Sequence, residues 1–119
     1  MKNKKTILAI TGIRSDYDIL YPVLDEARRN GHDVSVVVSG AHLADKFGLT
    51  INNIIKDGFQ IADQIDSLFS TDRVTQRSKG VSAVISGLTQ TVERLKPDMM
   101  IYVGDREEGI AAAVVANYS

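Results

Sequence analysis

Lys5–Thr11 (KTILAIT), closed by Gly12, decides how the chain folds. The run is apolar without a polar alternation and rich in β-forming residues, the pattern of a strand buried on both faces of a parallel sheet. Parallel strands need a helical crossover between them. One follows at once: between Asp16 and Asn30, Leu20, Val23, Leu24 and Ala27 recur at helical spacing, Asn30-Gly31 supplies the stop, and Pro22 marks a point for a kink or restart. Asp33–Ser39 (DVSVVVS) is the second strand, ended by Gly40-Ala41-His42.

The alternation continues to the end of the chain. Thr50 is placed to cap a short helix carrying Ile51, Ile54 and Ile55, with Asp57-Gly58 behind it, and Phe59–Ile65 reads as a third, weaker strand. Asp72 is the expected cap of a long helix whose apolar face runs through Val81, Val84, Ile85, Leu88, Val92 and Leu95. Pro97 ends that helix, because the residue before a proline resists the helical conformation. Asp98–Val103 (DMMIYV) is the fourth strand, its Met99 and Met100 read as core, and Ile110–Ala116 (IAAAVVA) is an Ala-rich helix able to lie close against a sheet. Alternation of this kind implies right-handed crossovers and an α/β, Rossmann-like doubly wound parallel sheet with strand order 3-2-1-4. That order puts an apolar fourth strand at an edge, where sheets usually carry charge, proline or a cover. The expectation is therefore a truncated piece, or a domain whose open edge a partner closes.

At 119 residues the chain has room for one domain, and 44% hydrophobic with 24% charged residues suits a globular core. Fourteen basic against fifteen acidic residues give a net charge of -1, so no global field gathers nucleic acid. The absence of cysteine removes disulfides, thiolate metal sites and cysteine nucleophiles, and points to a reducing cytoplasm. The apolar run behind Lys2, Lys4 and Lys5 is too short for a signal peptide, and no stretch approaches a membrane span.

In such sheets ligands bind beyond the carboxyl ends of the strands, near the point where strand order reverses. The loops found there read Gly12-Ile13-Arg14-Ser15-Asp16-Tyr17 and Gly104-Asp105-Arg106-Glu107-Glu108. A leading glycine lets the backbone turn tightly and approach a ligand. Arg14 would aim a bidentate cation at an anion already favoured by the helix N-terminus, a phosphate or diphosphate; the alternative is a surface pair with Asp16 or Asp18. The loop lacks the further glycines of a dinucleotide fingerprint and is not a P-loop. Asp105, directly after a buried strand, suits a general acid or base, tempered by Arg106, and the spacing equally allows it to cap the next helix. Glu107 and Glu108 cannot both face inward, so one of them faces solvent. His42 stands on the same rim, in a position that is as compatible with a structural role, and His32 reads as a helix C-terminal residue. No ligand spacing supports a metal site.

Taken together, these stretches resemble the hydrolysing UDP-N-acetylglucosamine 2-epimerase family, which makes N-acetylmannosamine and related 2-epimeric sugars for sialic, legionaminic and similar acids. The resemblance runs nearly end to end. Gly12-Ile13-Arg14-Ser15-Asp16-Tyr17 is similar to the family's G-x-R-[AS]-[DE]-Y, and Ser39-Gly40-Ala41-His42-Leu43 to [ST]-G-x-H-L. Phe47-Gly48-Leu49-Thr50, Ile54, Asp57-Gly58-Phe59 and Leu95-Lys96-Pro97-Asp98 follow in order, and Gly104-Asp105-Arg106-Glu107-Glu108 is similar to G-D-R-[YF]-[DE], with Glu107 in the aromatic position. The resemblance implies the N-terminal half-domain of a GT-B fold over residues 1–119, with the C-terminal lobe absent. It also implies a cytoplasmic enzyme that is a homo-oligomer at full length, needs no cofactor or metal, and takes a UDP-sugar as substrate with no nucleic-acid or membrane partner. By the same resemblance Asp105 and Glu108 are catalytic carboxylates, and Gly12, Arg14, Asp16, His42 and Arg106 contact the substrate. The reaction that the resemblance implies is elimination of UDP by proton removal at C2, followed by addition of water to the glycal. Such a piece is expected to be inactive alone.

Two other classes share this size and alternation. Another GT-B nucleotide-sugar enzyme would use the same loops. A receiver-like regulatory module needs an acidic pair after its first strand and a lysine after its fifth; here Asp16 and Asp18 are separated, Asp63 or Asp66 would have to be the phosphorylated acid, and no fifth strand carries a lysine.

Overall fold

β1 (Thr6–Thr11) lies between β2 (Asp33–Ser39) and β4 (Met99–Ile101), and β3 (Gln60–Ile65) flanks β2, giving the parallel order β3-β2-β1-β4. This arrangement comes from a computed structural model, which describes residues 3–43, 49–67, 75–104 and 107–118. The β1–β2 register runs from Thr6 opposite Asp33 to Thr11 opposite Val38, and β4 pairs Met99, Met100 and Ile101 with Ile7, Leu8 and Ala9.

Because side chains alternate across a strand, the unbroken apolar runs divide between two cores. Ile7, Ala9, Val34, Val36 and Val38 face helices α1 (Arg14–Arg29) and α2 (Ile51–Lys56), meeting Leu20, Leu24 and Ile54. Leu8, Ile10 and Val37 face α3 (Gln76–Leu95) and α4 (Glu107–Tyr118), meeting Val84, Leu88, Ala111, Ala112 and Val115. Small alanines let α4 approach the sheet closely, as the sequence implied.

Several boundaries differ from the sequence expectation for identifiable reasons. Helix α1 begins at Arg14 and continues through Pro22. Helix α3 ends at Leu95 because Lys96, ahead of Pro97, takes a left-handed conformation with φ 48° and donates its N–H to the Val92 carbonyl at 2.8 Å. Asp72, the expected cap of that helix, lies outside the described residues. Strand β4 is only three residues long, and Met99 is 52% exposed instead of core, because it begins an edge strand with a neighbour on one side only. Asp98 nonetheless fastens the start of this strand: the Thr6 N–H donates to its carboxylate and its own N–H to the Thr6 carbonyl, both at 2.8 Å. On the opposite edge, the register between β2 and β3 slips at Ala62, whose carbonyl accepts from Arg94 at 2.7 Å. A bulge of this kind blunts an edge strand. His32 offers the helix end its main chain, not its ring: its N–H donates to the Ala27 carbonyl, while Nδ1 accepts the Lys5 N–H at 3.0 Å.

Candidate functional site

The carboxyl ends of β1 and β2 and the start of α4 meet at one point. Gly12 follows β1, and Gly40, with φ 59°, opens a single 3-10 turn (Gly40–Leu43) after β2. Glu108, in the first turn of α4, reaches between them and is 4% exposed. Its Oε2 accepts from the Ser39 hydroxyl at 3.3 Å. A Cβ on Gly12 would collide with this carboxylate, and one on Gly40 would fall 2.8 Å from the Gly12 carbonyl oxygen and 3.2 Å from Glu108 Oε2.

The same 3-10 turn carries His42, which is fully buried. Nε2 lies 3.0 Å from Thr11 Oγ1 and Nδ1 lies 2.7 Å from Thr50 Oγ1. Thr11 donates its hydroxyl to the Ile13 carbonyl at 3.3 Å, which assigns the ring proton to Nε2 and leaves Nδ1 to accept from Thr50. Burial pushes the His42 pKa down to about 4, against the opposing pull of the Ile13 carbonyl and the Asp18 charge, so the ring is neutral near pH 7. Thr50 stands at the N-cap of α2, as expected, but its hydroxyl is spent on His42 and caps nothing.

Arg14 opens α1 at the rim, and its guanidinium lies 3.9 Å from Asp18, both side chains being largely exposed. The surface pair that the sequence allowed is therefore formed. Such exposed pairs contribute little, so an arriving dianion can displace it. Asp16 sits half-buried in the same turn. Asp105 and Arg106 fall outside the described residues, between Gly104 (φ 77°) and α4. Glu108 faces inward. Glu107 does not face solvent, as one of the pair was expected to; it turns away from Glu108 to an ion pair with Arg77 of α3.

Sequence reasoning gave no role to the cluster behind this rim. The Tyr17 hydroxyl donates to Asp57 at 2.6 Å, and its ring meets His42 and Phe59 edge-on with centroids 6.4 Å apart in each case. Burial first, then the Asp57 hydrogen bond, raises the Tyr17 pKa and keeps the phenol a donor. Arg28 caps the cluster, lying 4.1 Å over the Phe59 ring and donating to the Asp57 carbonyl at 2.9 Å. The signal was present: Tyr17 and Asp57-Gly58-Phe59 all lie in the motif-bearing stretches. What was missing was the long-range pairing that joins them.

Chemically, the rim presents a cation at a helix N-terminus, a buried carboxylate and a neutral imidazole. Among the described residues no group of three or more His, Cys, Asp or Glu could hold a metal ion, and no helix is long and apolar enough to cross a membrane.

Comparison with known proteins bears on what such a rim serves. Residues 25–119 match the family model described as UDP-N-acetylglucosamine 2-epimerase. The UDP-N,N'-diacetylbacillosamine 2-epimerase (hydrolyzing) of Legionella pneumophila is 32% identical over 113 residues, covering 94% of this chain and 30% of that protein. The GDP/UDP-N,N'-diacetylbacillosamine 2-epimerase (hydrolyzing) of Campylobacter jejuni is 33% identical over 115 residues, or 95% and 29%. The chain thus spans about 30% of the length of these relatives. In fold it is similar to the UDP-GlcNAc 2-epimerase of Methanocaldococcus jannaschii, at TM-score 0.74 and 14% identity over 95% of this chain and 28% of that one. The Neisseria meningitidis UDP-GlcNAc 2-epimerase structure, solved with UDP-GlcNAc bound, gives TM-score 0.73 and 22% identity over 95% and 29%. The sheet order is therefore that of the first part of a GT-B fold. With that sheet, that rim and a family match over residues 25–119, the chain belongs to the UDP-N-acetylglucosamine 2-epimerase family.

Proposed function

We propose that this chain forms the N-terminal part of a hydrolysing UDP-N-acetylhexosamine 2-epimerase, which converts UDP-GlcNAc or a UDP-diacetamido sugar into UDP and the free 2-epimer, such as N-acetylmannosamine. The observation that carries the reading is the meeting of the Gly12–Arg14 turn, the Gly40–His42 turn and the start of α4 at the carboxyl ends of β1 and β2, in a chain matched over 94% of its length by a hydrolysing 2-epimerase.

In this reading Arg14 and the N–H groups opening α1 hold the diphosphate, as helix N-termini hold anions. Asp105, with Arg106 beside it, is the carboxylate that takes the proton from C2 of the sugar. The C2–H electron pair then forms the C1–C2 double bond, and the C1–O bond breaks to release UDP. Water adds to C1 of the glycal while a proton returns to C2 from the opposite face, which inverts that centre. Asp16 supports the Arg14 turn at the rim. His42, neutral and bonded through both ring nitrogens, holds its turn against β1 and α2. A second lobe closes the cleft and supplies the remaining contacts, and the enzyme works in the cytoplasm as a homo-oligomer without a cofactor.

The test joins this chain to the remainder of the Legionella pneumophila relative and incubates the chimera with UDP-GlcNAc and with UDP-N,N'-diacetylbacillosamine. Release of UDP with a free 2-epimer carrying solvent deuterium at C2 is expected, and the 119-residue chain alone is expected to release no UDP. Sugar transfer to an acceptor would favour another GT-B nucleotide-sugar enzyme instead. Turnover by the isolated chain would overturn the need for a second lobe.

A further inference from the structure

Gly12 and Gly104, which open the two rim loops, are glycine for different reasons. Gly104 has φ 77°, and no described residue comes within 4 Å of where a Cβ would stand, so it is the backbone conformation that calls for glycine. Gly12 has no positive φ, so its backbone does not call for glycine on that ground. What excludes a side chain there is the Glu108 carboxylate, which fills the space. The bareness of Gly12 thus makes room for a group of the protein itself.

We infer that Glu108 is a positioning residue whose buried carboxylate keys the notch between Gly12 and Gly40, fixing the Arg14 turn, the His42 turn and the start of α4 relative to one another. The notch has three walls from distant parts of the chain: Gly12, the Ser39–Gly40 corner, and α4 itself. A buried carboxylate is costly unless its charge is met. Here it lies in the first turn of a helix, where the dipole favours a negative charge, and it accepts from Ser39. At 4% exposure it lies behind the surface a sugar would touch. In this reading its influence on the reaction passes through the loops it sets, and Asp105 is the carboxylate proposed for proton transfer. The consequence for catalysis rests on the epimerase reading; the keyed notch does not, and the experiment uses no nucleotide.

The 119-residue chain is compared with G12A, E108A, G12A/E108A and S39A by thermal melting and by NMR of the His42 ring and the Gly12, Arg14 and Gly40 amides. G12A is expected to melt several degrees lower and to move all of these signals. Adding E108A should cancel much of that loss, so that the double variant is markedly more stable than the sum of the single effects predicts. S39A, which removes one hydroxyl and leaves the packing intact, covers the case in which G12A does not fold. It should shift Gly12 and Gly40 together with the Glu108 carboxylate carbon, while the remote Thr91 stays in place. Additive losses in the double variant would overturn the proposal, as would a G12A chain that melts like the wild type or an S39A perturbation that stops at its own strand.

Discussion

The two flanks of β1 are built differently. Toward β2, the rim is backed by a closed network: Thr11 and Thr50 on the His42 ring, Tyr17 on Asp57, Arg28 over Phe59, and Ile54 fully buried beneath. Toward β4, the partner strand is three residues long and apolar side chains face outward, among them Met99, Tyr102, Ile110 and, at 88% exposure, Tyr118. Exposed apolar side chains also occur on the first flank, Ile19, Val23 and Ile55 among them, so what separates the two is the polar network and the partner strand, seven residues in β2 against three in β4. The difference teaches that the first turn of α1, proposed to hold the diphosphate, is anchored through Tyr17 by contacts within these residues, while the Arg14 side chain keeps only an exposed pair.

Substitutions that hit one flank and spare the other sharpen this contrast. Ile54→Ala should cost about 3 kcal/mol in urea unfolding, the usual loss for a fully buried aliphatic side chain, whereas Met99→Ser should change stability by less than ~0.5 kcal/mol. Equal losses on both flanks would break the comparison.

Acid should loosen the closed flank first. His42 has a folded pKa of about 4, below its ordinary 6.5, so protonation favours the unfolded chain. Its contribution is complete above pH 6.5 and disappears as pH falls from 6.5 toward 4, for a loss of roughly 3 kcal/mol. Subtracting the pH profile of His42→Asn from that of the wild type isolates this contribution from ordinary carboxylate titration. A flat difference between pH 6.5 and 4 would show that the ring is not held neutral by burial.

Tyr17→Phe leaves the ring in its aromatic cluster and removes only the hydroxyl bonded to Asp57, so it should cost about 2 kcal/mol, as hydrogen bonds to charged groups do. A neutral result would detach α1 from the turn before β3. Smallest of all, Arg14→Ala should move stability by under ~0.5 kcal/mol, because its pair with Asp18 is exposed. That leaves any loss of nucleotide affinity in this variant attributable to the rim.

Much of the fold was legible because it is written in local periodicity. Thr6–Thr11 is an unbroken apolar or β-branched run, Asp33–Ser39 carries four valines among its seven residues, and the spacing of Leu20 and Leu24 marks the buried face of α1. The site was legible only as a set of loops. That Thr50 serves His42 and that Tyr17 reaches Asp57, 40 positions away, depends on how helices settle on the sheet, which no local pattern records. The orientation of Glu107 and Glu108 was hidden for another reason: the helix they open is apolar almost all round, so its sequence does not say which side faces in. Met99 misled because an apolar residue at the start of an edge strand reads like one in the middle of a sheet.

The central proposal is that Asp105 takes the proton from the sugar. Its direct test is the turnover number of Asp105→Asn in the chimera with the Legionella pneumophila relative, measured as UDP release under saturating UDP-sugar. A loss on the order of 10²- to 10⁴-fold, the usual worth of a positioned acid or base, with folding unchanged, is the predicted result. Turnover within a few-fold of the parent chimera would contradict the account.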